Sequence, residues 1–290
     1  MKEESSRKVS KLIPGVATSD GAGVRLKRYI GTYALEYLDP FLLLDEFSSD
    51  KADDYIAGFP PHPHRGMETV TYMVEGRVEH GDSLGNRGVI ETGDAQWMTA
   101  GSGIIHSEMP AMENGLLRGL QLWVNLPAKD KMSTPRYREL KSKNIPSVAI
   151  DGGTVKVLAG EFRSTAGGFS EIAGNPMYLD VSLSPGSRFH AVIASSHNAF
   201  AFVLSGSGHF GSNRSPVAES ALAIFERSSA SHVSIHAQQS GVRFILVSGA
   251  PLDEPVARGG PFVMNTEREI AEAWREYRDG TFIKEKPTVI

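Results

Sequence analysis

The chain has 290 residues, with 30 basic against 34 acidic side chains and a formal net charge of −4. That length accommodates two domains, and the absence of a basic tract argues against direct nucleic-acid binding, which depends on neutralising phosphates. Cysteine is absent, which excludes disulfides, thiolate nucleophiles and thiolate metal sites and leaves His, carboxylate or water for any ion.

The opening residues MKEESSRKVSKLIPG are polar, lack an apolar signal core and read as loose. No stretch approaches the ~18 apolar residues of a membrane span, so a cytoplasmic address without membrane contact is expected. Val24–Ile30 and Thr32–Tyr37 suggest an opening hairpin, and Phe41–Leu44 a short apolar strand. Thr69–Val74, Gly88–Glu91, Ala95–Thr99, Ile104–Glu108 and Leu117–Asn125 are further strands at the spacing of a barrel or sandwich. The charged, proline-bounded run PAKDKMSTPRYRELKSKNIP then reads as an interdomain linker.

A second strand-rich block follows, from Val155–Gly160 to Arg243–Val247. TVTYMVEGRVEHGD in the first half and AFVLSGSGHFGS in the second share one pattern of strand, glycine turn and strand, suggesting a diverged repeat. Near the C-terminus, Asn265-Thr266 can cap a helix whose apolar face is Ile270, Ala273, Trp274 and Tyr277, with Gly280 ending it. The expected fold class is all-β, two β-barrels in tandem followed by a helix.

The chemistry concentrates in GFPPHPHRGMETVTYMVEG and GSGIIHSEMP. His62 and His64 stand at i and i+2, which in extended chain directs both imidazoles to one side. Pro63 between them enforces that extension. His106 and Glu108 repeat the device on a second strand. Four ligands from two neighbouring strands suit one divalent transition metal, Fe(II) first, with Mn, Ni, Cu or Zn as alternatives. Asp45, Phe59, Arg65, Met98 and Gln121 surround these motifs and are candidates for a substrate pocket. His80, in EHGDSLGN, reads as a solvated turn residue, and the five histidines of the second half form no His-x-His pair.

These blocks carry a resemblance. His62-x-His64 with Glu68 and Gly76, and Gly93 through His106, are similar to the two cupin motifs. FLLLDEF, GDAQWMTAGSGIIHSEMP, GLQLWVNLP and GPFVMN resemble the pirin family in order and spacing. The resemblance implies two tandem cupin (jelly-roll) β-barrels, with the C-terminal helix packing back on the N-terminal one. It places an N-terminal metal-binding cupin at 1–130, a linker at 131–146, a C-terminal cupin lacking a metal site at 147–260, and the helix and tail at 261–290.

The family's metal ligands fall on His62, His64, His106 and Glu108, whereas many cupins use the carboxylate matching Glu68. The resemblance further implies a quercetin 2,3-dioxygenase-type oxidoreductase that opens flavonols with O2 and releases carbon monoxide, with Glu108 as the catalytic base. The alternative it implies is a metal-dependent regulatory protein that binds transcription factors or metabolic enzymes.

Overall fold

The structure is a computed structural model and describes residues 6–112, 114–170 and 172–285. Strands dominate, and the described residues contain one α-helix, Glu267–Arg278. The chain divides into two compact units. One comprises residues 16–32, 41–143 and 252–285, the other residues 6–15, 33–40 and 144–251. No helix among the described residues is long and apolar enough to cross a membrane.

The first unit pairs a seven-stranded and a four-stranded antiparallel sheet. The larger runs Arg136–Leu140, Ala95–Thr99, Met67–Glu75, Leu117–Asn125, Phe41–Ser49, Val24–Ile30 and Val16–Asp20. The smaller runs Phe59–His64, Ile104–Pro110, Arg77–Asp82 and Arg87–Glu91. Leu26, Phe47 and Met73 from the larger sheet meet Val78 and Ile90 from the smaller in one buried cluster, so each sheet turns a face inward.

In the second unit the 18-residue strand His232–Gly249 runs through the middle of a nine-stranded sheet. Its core is continuous and apolar, with Phe189, Phe210 and Phe244 among its members.

Three expectations need correction. Thr32–Tyr37 forms turns and isolated bridges, and the hairpin partner of Val24–Ile30 is Val16–Asp20. The opening segment is not loose after residue 8: Val9–Pro14 pairs with Ala221–Phe225, so this strand belongs to the second unit rather than to a domain beginning at residue 1. Inside the 131–146 stretch read as a linker, Arg136–Leu140 is the edge strand of the seven-stranded sheet. Beside it, Lys131 is buried and its ammonium donates to Gly66 O, Asn125 Oδ1 and Val263 O at 2.9, 2.7 and 3.0 Å. An ammonium has three protons, and each finds an oxygen.

The helix begins at a capping box in which the Thr266 hydroxyl accepts from Glu269 N and the Glu269 carboxylate returns the bond to Thr266 N. Ile270 and Ala273 pack with Phe262, Met264 and Phe282 beside Ile105 of the four-stranded sheet. Gly66 lies against this packing: a Cβ there would collide with the Val263 carbonyl, and its φ of +77° is one that glycine adopts without strain.

Candidate metal centre

The pairing register brings the expected ligands together. His106 stands directly opposite His62 on one neighbouring strand and opposite Asp82 on the other, while Glu108 stands opposite His80. Directly opposed residues share a face, as do residues two apart. His62, His64, His106, Glu108 and His80 therefore all occupy the inward face of the four-stranded sheet.

The ring centroids of His62, His64 and His106 lie 4.4–5.0 Å apart. The candidate ligand atoms of His62, His64 and His106 lie within 4.8 Å of one another, and so do those of His80, His106 and Glu108.

Hydrogen bonds set the tautomers. His64 Nδ1 is 3.1 Å from the Pro261 carbonyl and His62 Nδ1 is 2.9 Å from that of Pro60. A carbonyl can only accept, so each Nδ1 carries its proton and each Nε2 keeps a lone pair. His106 is buried, and neither of its ring nitrogens has a hydrogen-bond partner. Such an atom ordinarily costs about 1–3 kcal/mol, a penalty that coordination to an ion removes.

Burial, with His62 nearby, pushes His64 down to about 3 and His106 well below the ordinary imidazole range. Both rings are neutral, as ligands must be. The residues present therefore fit a divalent metal.

His80 is not the solvated turn residue that its neighbours in sequence suggest. It is fully buried, its Nδ1 is 2.9 Å from the Gln96 amide, and its Nε2 is 3.5 Å from Asp82. The signal was available, because His80 and Asp82 form a third pair at i and i+2.

Glu68 lies on the other face of the seven-stranded sheet. Its neighbours Thr69 and Thr71 alternate away from it, and its Oε1 accepts from Thr99 Oγ1 at 2.7 Å with Arg138 3.8 Å away. Glu68→Gln is therefore expected to change metal affinity by less than about twofold in a chelator competition.

The pocket candidates divide. Arg65 alternates away from His64 and anchors the C-terminal segment: its guanidinium donates to Ser102 O at 2.7 Å, Glu276 at 2.6 Å and Phe282 O at 3.2 Å. It points to neither Asp45 nor Glu68. Met98 is core, packed with Ala100 and Ile104. Asp45 is tied to Arg28 by two bonds of 2.8 and 2.7 Å. Phe59 and Gln121 are half-buried on the elements that carry the site.

A histidine-lined two-sheet unit accompanied by a second strand-built unit with an apolar core is the make-up of a bicupin. Models of known families agree: the pirin model matches residues 23–124 and that of the pirin C-terminal cupin domain residues 178–283. A pirin-like protein of Solanum lycopersicum is 45% identical over 286 residues, covering 94% of this chain and 92% of its own. A quercetin 2,3-dioxygenase from Acinetobacter baumannii, solved by crystallography, superposes with a TM-score of 0.86 at 33% identity, covering 95% of this chain and 98% of that one. A bacterial pirin of Escherichia coli in complex with nickel(II), 24% identical and covering 83% of this chain and 99% of its own, shares the fold with a TM-score of 0.65. The chain belongs to the pirin family.

Proposed function

We propose that this protein is a cytoplasmic, metal-dependent dioxygenase acting on flavonols such as quercetin, with the ion held by His62, His64, His106 and Glu108. The observation that carries the reading is the buried, unpartnered imidazole of His106 beside two histidines whose tautomers leave their Nε2 lone pairs available. A solved relative bearing the quercetin 2,3-dioxygenase name, at 33% identity, supports the substrate class.

Fe(II), first among the candidates, supplies Lewis acidity to a flavonol oxygen and redox contact with O2. The protein's own part begins with a proton. Glu108, loosened from the ion, takes it from the flavonol hydroxyl as general base. Phe59 and Gln121 offer an apolar edge and an amide with which to orient the polyphenol.

The test is O2 uptake with quercetin, using metal-free protein reconstituted separately with Fe(II), Mn, Ni, Cu and Zn. A metal-dependent rate is expected, and Glu108→Ala is expected to lose turnover beyond its loss of metal. A fully metal-loaded Glu108→Ala that keeps wild-type turnover removes the base role. Stoichiometric binding without turnover for any metal favours the regulatory, protein-binding reading instead.

A further inference from the structure

Five polar side chains cross the inward face of the seven-stranded sheet in a single row. Gln96, Thr71, Gln121, Asp45 and Arg28 stand directly opposite one another on five neighbouring strands. Gln96, Thr71 and Asp45 are at most 4% exposed. On one side of the row lies the apolar cluster containing Leu26, Phe47 and Met73. On the other is Trp123, against whose ring His64 packs at 5.1 Å.

A row of polar groups in such a place is unfavourable unless its bonds are made. Here they are. Asp45 pairs with Arg28, Thr71 Oγ1 lies 2.7 Å from Gln121 Oε1, and two bonds leave the row for the opposite sheet. One joins Gln96 to His80 and the other joins Thr71 Oγ1 to Glu108 Oε1 at 2.8 Å.

The Thr71 hydroxyl has one proton and two neighbours. The hydroxyl reaches Glu108 Oε1 at 2.8 Å and Gln121 Oε1 at 2.7 Å, so when its proton is directed to Glu108 the Gln121 amide must rotate to bring its NH2 to Thr71 Oγ1. The order of donation is then Gln121 to Thr71 to Glu108.

From this geometry we propose that Thr71 is a positioning residue that fixes one oxygen of the Glu108 carboxylate, with Gln121 behind it fixing the hydroxyl's direction. The proposal deepens the reading of Glu108 as base. A carboxylate that is free to rotate spends little time aimed at its target, whereas one held at Oε1 presents Oε2 in a constant direction, to the ion and, once loosened from it, to the proton it must take. Thr71 acts through Glu108 and is not itself a catalytic residue.

Thr71→Val keeps the branched shape and removes the hydroxyl; Thr71→Ser keeps the hydroxyl. In metal-free protein, the carbon-13 resonance of the Glu108 side-chain carboxyl, assigned by its loss in Glu108→Gln, is expected to move in Thr71→Val and return in Thr71→Ser. At full metal loading, kcat with quercetin is expected to fall roughly tenfold in Thr71→Val, the effect of one charge-assisted hydrogen bond. KM is expected to stay within about twofold, and serine to restore kcat. Thr71→Ala carries the same expectations should valine fail to pack.

An unmoved resonance, or an unchanged kcat at full loading, overturns the proposal. If wild-type protein turns over no flavonol, the functional reading fails separately and the resonance alone decides the positioning role.

Discussion

With alanine in place of His64, metal affinity is expected to fall by at least about 100-fold and metal-dependent O2 uptake with quercetin to disappear. Loss of a residue that merely orients a ligand already weakens binding by ~10–100-fold; loss of a ligand takes away the bond itself. His64 is 2% exposed, so the alanine leaves a buried cavity in place of the nitrogen. The substitution also leaves the Pro261 carbonyl without its donor. Chelator competition gives the affinity and an oxygen electrode the turnover. Wild-type affinity in a folded variant would place the ion elsewhere and remove His64 from the ligand set.

Arg65→Met is expected to lower the stability of the first unit by about 3 kcal/mol, from the loss of the hydrogen bonds made by a buried guanidinium. By the scaling for units of this size, the melting temperature drops by roughly 10 °C. Arg65 holds Glu276 at 2.6 Å, donates to two carbonyls and lies 4.5 Å from the Phe282 ring centroid, so one side chain joins the ligand-bearing segment to the helix and the chain beyond it.

The same latch is pH-dependent. Burial pushes the Glu276 carboxyl up, but hydrogen bonds from Lys284 and Arg65 outweigh it and leave it below the usual carboxylate range. Its contribution is therefore full above the unfolded value of about 4.3 and is lost as pH falls through the lower folded value. Thermal melts of Arg65→Met and wild type between pH 3 and pH 7 check both statements. A variant that melts with wild type would show that Ile270, Ala273 and Phe282 hold the helix by apolar packing alone.

The face on which each strand residue lies was largely legible. A two-residue period aligns His62 with His64 and His106 with Glu108, and the same period turns Arg65 away from them; Glu68, an even number of residues on, is separated from them only because the chain changes sheet between His64 and Met67. Arg65 could therefore have been excluded from the pocket by counting. His80 could also have been recognised, because EHGD repeats the spacing of the other two pairs. It was masked by the Gly, Asp and Asn around it, which signal a turn yet here close a strand.

The strand order and the chain's sharing between units were not legible. Val9–Pro14 alternates poorly and is mostly exposed, so nothing in its residues announces a partner more than 200 positions away. Arg136–Leu140 carries charge because it is an edge strand, and charge between prolines reads as a linker.

The sequence by itself determined the all-β class, the His-x-His and His-x-Glu pairs, the capped helix and the family, because these follow from local spacing and residue chemistry. Only the tertiary structure decided that Thr71 meets Glu108, that Gln96 meets His80 and that Arg65 reaches Glu276. Each of these contacts joins separate elements, and its existence depends on register and sheet packing, which are set by the whole core rather than by any one segment.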